Sequence, residues 1–181
     1  MKSKYAFTLI ELLIVVAIIA ILAAIAVPNF LEAQIRSKTS RSQADMRSIT
    51  TALEAYHVDN NHYPSHDFAP AFSRLNVLTT PVAFITDVPA DVFSDRHLDP
   101  VTWQYHRDSY IYDEIAPLIE IGHWDILTYI DAYEHGQEWL LIGRGPNKVY
   151  DATYYSDPNL DTRYDPTNGT ISRGDLERFG P

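Results

Sequence analysis

Apolar positions crowd one end of the chain. From Leu9 to Val27 every side chain but that of Glu11 is apolar. At about 1.5 Å per residue the run spans roughly 28 Å, close to the hydrocarbon thickness of a bilayer. Lys2 and Lys4 precede it, which by the positive-inside tendency leaves the N-terminus cytoplasmic. The pattern then changes period without a break. From Asn29 to Asp59 there is no Gly or Pro, and Met46, Ile49, Leu53 and Tyr56 recur at helical spacing, one stripe of an amphipathic helix. A removable secretory leader would stop at a small-residue cleavage motif, and Ala24 and Ala26 before Val27-Pro28 make a poor one. The expectation is a long rod, membrane-spanning over 7–28 and amphipathic over 29–60. Pro28, at the junction, is expected to kink or locally unwind it.

The rod should end at "VDNNHYP", where Asn60-Asn61 and Pro64 are stop signals. Residues 61–181 then read as a head. Pro70 to Leu78 suits a short helix with Pro70 in its first turn. "VTWQYHRDSYIYDEI" alternates around Asp108-Ser109 as a hairpin would, and Ile115 to Glu134 leaves helix and strand both open. Glu138–Ile142 reads as a strand, Gly143–Asn147 as a turn and Lys148–Tyr150 as a second strand, while Asn168-Gly169 is a tight-turn pair. The fold class expected is α+β, with three or four antiparallel strands packed on the C-terminal half of the rod to bury its stripe.

Composition sharpens this picture. The formal charge of −10 is uneven: residues 1–60 hold six Lys/Arg against five Asp/Glu, and residues 61–181 hold eight against nineteen. An acidic head argues against nucleic acid as a partner. The chain has no cysteine, so disulfides and thiolate metal sites are excluded and an oxidising compartment is tolerated. Arg36, Lys38, Arg41 and Arg47 form a basic stretch outside the apolar run, which could meet lipid headgroups, DNA or, most naturally beside an acidic head, the acidic face of a neighbouring copy, and whose commonest reading is a solvated helix face.

Glu11 poses the sharpest question, because an ionised carboxylate at membrane depth is costly unless paired. The stretch "AFTLIELLIVVAIIAILAAIAVPNF" resembles the N-terminal cleavage and methylation segment of type IV pilins and type II secretion pseudopilins, with Phe7, Thr8, Leu9, Ile10, Glu11 and Pro28 agreeing position by position. The resemblance implies cutting by a prepilin peptidase between Ala6 and Phe7 and N-methylation of Phe7. It also implies filament assembly in which Glu11 meets the Phe7 amine of a neighbour, helped by an inner-membrane assembly platform. The family normally has Gly before the cut, where this chain has Ala6. "DNNHYP" and "LTTPVAFITDVPADVF" resemble later segments of the major pseudopilins, and the likeness is thinner across residues 78–181.

Catalytic chemistry is not evident. Seven histidines show no HExxH-like spacing, and GxSxG, P-loop and dinucleotide fingerprints are missing. No motif calls for a cofactor. The loop "DATYYSDPNLDTRYDPTNGT" places Asp151, Asp157, Asp161 and Asp165 close together, an oxygen-rich set that suits calcium, and the resemblance implies a calcium site in this late loop. Two classes of function follow. In the first, the chain is a homopolymeric filament subunit, inserted in the inner membrane and then moved to a periplasmic or surface fibre. In the second, it is a membrane-tethered periplasmic binding module or enzyme.

Overall fold

The computed structural model describes residues 7–65, 74–94, 109–120, 127–151, 163–168 and 173–181. One helix, α1 (Leu9–Asn60), runs 52 residues, about 78 Å at the ordinary rise. Asn61 ends it in the left-handed conformation at φ 57° and donates its N–H to the His57 carbonyl, as the two-asparagine stop signal leads one to expect. The helix is unbroken through Pro28, so the local unwinding expected there is absent. Proline deletes one backbone hydrogen bond, the one to the Ala24 carbonyl, while the bonds on either side hold the helix in register.

Only the distal half of α1 meets the head. Met46, Ile49 and Leu53 are buried, and Tyr56 packs partly buried at the end of their stripe. The buried face reaches back through Ser42 to Thr39, polar positions that a hydrophobic stripe does not reveal. The sheet has three antiparallel strands in the order β1 (Ile111–Glu114), β2 (Trp139–Gly143) and β3 (Leu176–Phe179). Central strand β2 is buried along its whole length and serves two cores. Trp139 and Leu141 face α1, with Tyr110, Tyr112 and Leu75. Leu140 and Ile142 face the other way, onto helices α2 (Ile115–Glu120) and α3 (Leu127–Glu134) through Ile115, Leu118 and Tyr129. The head is therefore layered as rod, sheet, helices, and the ambiguous segment resolves to helix in its described parts.

One expectation for the head is overturned, and two others fall partly outside the described residues. Lys148–Tyr150 is not a strand: Lys148 adopts φ 64° and donates to the Gly145 carbonyl at 2.9 Å, while Asn147 receives the Val149 N–H. That is turn chemistry overriding a short apolar run. Of the short helix at Pro70–Leu78, Arg74–Leu78 is a 3-10 helix and the remainder lies outside the described residues. The hairpin around Asp108-Ser109 cannot be followed, because residues 101–108 lie outside as well; β1 itself pairs with β2.

Gly143, at the end of β2, passes under the Tyr110 ring. An added Cβ would lie 2.8 Å from that ring, which is held by burial and by its hydroxyl donating to Ser42 at 3.0 Å. Gly143→Ala is expected to destabilise the head by about 1–3 kcal/mol through overpacking, measured as a shift in urea midpoint of the detergent-solubilised chain.

Candidate functional site

Every described side chain from Phe7 to Gln34 is exposed. From Leu9 to Val27 the helix is apolar on every face but for Glu11 and exposed throughout, a surface suited to cover by lipid or by copies of itself. The composition and length of the segment meet the requirement for crossing a membrane.

The start of this segment is a capping box. Thr8 is the N-cap, its hydroxyl accepting the Glu11 N–H at 3.3 Å. The Glu11 carboxylate accepts the Thr8 N–H at 2.8 Å and the Thr8 hydroxyl at 2.7 Å. Glu11 thus has neutral partners in its own chain, which search for a basic partner overlooks. The signal was present as Thr-x-x-Glu ahead of an apolar run. Two neutral donors make the carboxylate tolerable in oil without cancelling its charge, so a counter-ion is still wanted. Ala6, on the other side of the expected cut, lies outside the described residues.

The acidic loop is less coherent. Asp157 and Asp161 lie outside the described residues. Asp151 is buried and accepts the Asn147 amide at 2.7 Å and the Gly174 N–H at 2.6 Å, latching the turn after β2 to the approach of β3. Asp165 is exposed and caps its own turn, accepting the N–H and hydroxyl of Thr167, which hold its carboxyl below the usual range. In each carboxylate a single oxygen accepts both bonds, Oδ2 of Asp151 and Oδ1 of Asp165, and no group of three or more metal-ligating side chains is assembled among the described residues. His57 stacks on Tyr63 at 4.4 Å, His62 shares Nδ1 with the Tyr63 carbonyl, and His135 shares Nδ1 with the Asp131 carbonyl. His66, His97, His106 and His123 lie outside. The basic stretch is partly occupied: Arg36 pairs with Glu32, Arg41 approaches Asp45 at 3.9 Å, and Lys38 lies over the Phe93 ring.

One further carboxylate positions the head and gave no sequence signal. Asp91 is buried and accepts the N–H groups of Phe93 and Arg144, each at 2.9 Å, tying the loop before β1 to the end of β2. Burial pushes its carboxyl above the ordinary value of 3.8, against the pull of those two donors. The folded state then binds this proton more tightly than the unfolded chain. Its contribution to stability is full below 3.8 and is lost as pH rises through the raised value. Urea midpoints taken from pH 3.5 to 7 should carry this descending component, and Asp91→Asn should remove it.

Comparison with known proteins follows the same division of the chain. A model of the prokaryotic N-terminal methylation motif matches residues 1–27, and one of type II secretion system protein G matches residues 29–96. The type IV major pilin protein PilA of Myxococcus xanthus is 51% identical over 63 residues, covering 35% of this chain and 28% of that protein. The type IV wide pilus major component PilA4 of Thermus thermophilus is 43% identical over 81 residues, covering 45% and 60%. The type II secretion system core protein G of Escherichia coli is 25% identical over 168 residues, covering 92% of each. This chain therefore spans less than two thirds of the first two relatives. No solved structure matches it significantly.

Proposed function

We propose that this chain, a member of the type IV pilin and type II secretion pseudopilin superfamily through its methylation motif and its protein G segment, is a structural filament subunit. A prepilin peptidase cuts between Ala6 and Phe7, the Phe7 amine is methylated, and subunits stack through α1. The observation that carries this reading is the bare apolar half of α1, exposed from Phe7 to Gln34 with a carboxylate near its tip. In a bundle of such rods the apolar faces cover one another. The Glu11 carboxylate of one subunit then meets the Phe7 ammonium of the next, at a low dielectric where the attraction offsets part of the cost of desolvation. Because the contact forms at one stagger only, it sets register as well as affinity.

Before assembly the subunit spans the inner membrane with its N-terminus cytoplasmic; afterwards it stands in a periplasmic or surface fibre built with an assembly platform. A type II secretion pseudopilus is favoured over a surface pilus, since the likeness to protein G extends along 92% of the chain and the likeness to the pilins over 35–45%. Calcium at the late loop is a proposal resting on Asp151, Asp157, Asp161 and Asp165. Asp151 and Asp165 each already hold two hydrogen bonds on one carboxylate oxygen, so the ion would be met by the other.

N-terminal sequencing and intact-mass measurement of protein recovered from native fibres test this directly. The expected mature chain begins at methylated Phe7. Monomeric protein retaining residues 1–6 would overturn the filament and favour a membrane-tethered binding module or enzyme.

A further inference from the structure

Where α1 leaves its apolar half, Pro28 to Gln43 and the overhanging Tyr164–Thr167 segment enclose a groove of about 820 Å³. Three observations converge there. First, its depth: Glu32 and Arg36 stand roughly 8 and 14 Å beyond Val27 along the helix. The exposed Phe30 and Leu31 extend the apolar surface by another turn, and this brings Glu32 into the headgroup layer, which is about 5–7 Å thick on each side, and Arg36 to its outer edge, within reach of its long side chain. Second, its charge: Glu32 and Arg36 are paired and solvent-exposed at the groove, one anion and one cation on the same helix face. Third, its unmet polarity: Thr39 lines the groove, is 7% exposed, and its hydroxyl has no hydrogen-bond partner among the described residues.

We infer that this groove binds the headgroup of phosphatidylethanolamine in the membrane-inserted subunit. The inference rests on insertion of the apolar half of α1 as proposed above. The lipid phosphate takes the Arg36 guanidinium, whose planar donor fork suits phosphate oxygens. The primary ammonium takes Glu32, and the Thr39 hydroxyl gains an acceptor from the phosphate ester. Choline headgroups have no N–H to give Glu32, and glycerol headgroups have no cation. A neighbour's apolar rod in the same place would strip water from Glu32 and Arg36 and return no polar contact. A lipid that occupies the groove before assembly and leaves as rods come together would keep this polar notch solvated in the bilayer.

The test uses the full chain carrying Thr167→p-benzoylphenylalanine, reconstituted in vesicles of phosphatidylethanolamine and phosphatidylcholine in equal parts. Flotation reports insertion, and the mass of the photo-adduct reports what fills the groove. Phosphatidylethanolamine adducts are expected to exceed phosphatidylcholine adducts by about fivefold or more. Glu32→Ala should bring the ratio towards one with flotation unchanged, Arg36→Ala and Thr39→Val should lower the yield of both adducts, and Arg41→Ala should leave ratio and yield as they were. Adducts in proportion to lipid content, or a chain-to-chain adduct, would overturn the headgroup inference while leaving insertion intact. A chain that does not float overturns both.

Discussion

Glu11→Gln is expected to insert in the membrane as the parent does and to fail to build fibre. Glutamine at this position still accepts from Thr8, so the capping box and the helix start survive. What is lost is the charge. If the Glu11 carboxylate pairs with the Phe7 ammonium of the next subunit, the pelletable fibre fraction should fall by at least about tenfold, equivalent to about 1.4 kcal/mol per contact, and more where contacts repeat along a polymer. Glu11→Val removes cap and charge together and should be no better. The comparison separates two roles that the valine variant alone would confuse. Fibre at parental levels from the glutamine variant would mean that Glu11 is a cap and nothing else, and register would have to come from packing.

The second large effect is in the head. Asp113 of β1 pairs with the partly buried Arg74 of the 3-10 helix and accepts the Tyr129 hydroxyl of α3, while Arg74 also donates to the Tyr112 carbonyl at 3.0 Å. One carboxylate thus joins three segments remote in sequence across the edge of the sheet. Burial pulls the Arg74 guanidinium below its ordinary value, the mark of a cation partly withdrawn from water. Asp113→Ala takes the carboxylate from that cation and should cost about 3–5 kcal/mol, a large share of the about 5–15 kcal/mol that holds a domain together. The head should then be cleaved by protease under conditions where the parent resists. Tyr129→Phe should cost about 1 kcal/mol. The pair Arg74→Met with Asp113→Leu should recover most of the loss, because an apolar pair carries no desolvation penalty. A loss below about 1 kcal/mol for Asp113→Ala in urea melts would mean that water reaches the pair.

The position of such a network was not available from the chain alone. Arg74 and Asp113 are 39 residues apart, Tyr110 and Ser42 are 68 apart, and no local pattern marks either pair. The same holds for β3, whose sequence "LERF" reads as mixed polar and becomes a strand because β2 offers it a paired edge. It holds too for the second core, since "WLLIG" shows an unbroken apolar run but not that its alternate side chains serve opposite layers.

What the sequence determined by itself is what neighbours within a turn or two decide. The rod, its apolar half, the Met46–Tyr56 stripe, the stop at Asn61 and the Thr8–Glu11 cap all depend on helical spacing, side-chain length and backbone preference, and these act over four residues or fewer. Tertiary structure decided which polar residues are buried, as with Thr39, Ser42 and Asp91. Those outcomes depend on partners brought in from dozens of residues away, and burial free energy is a property of the filled space between them.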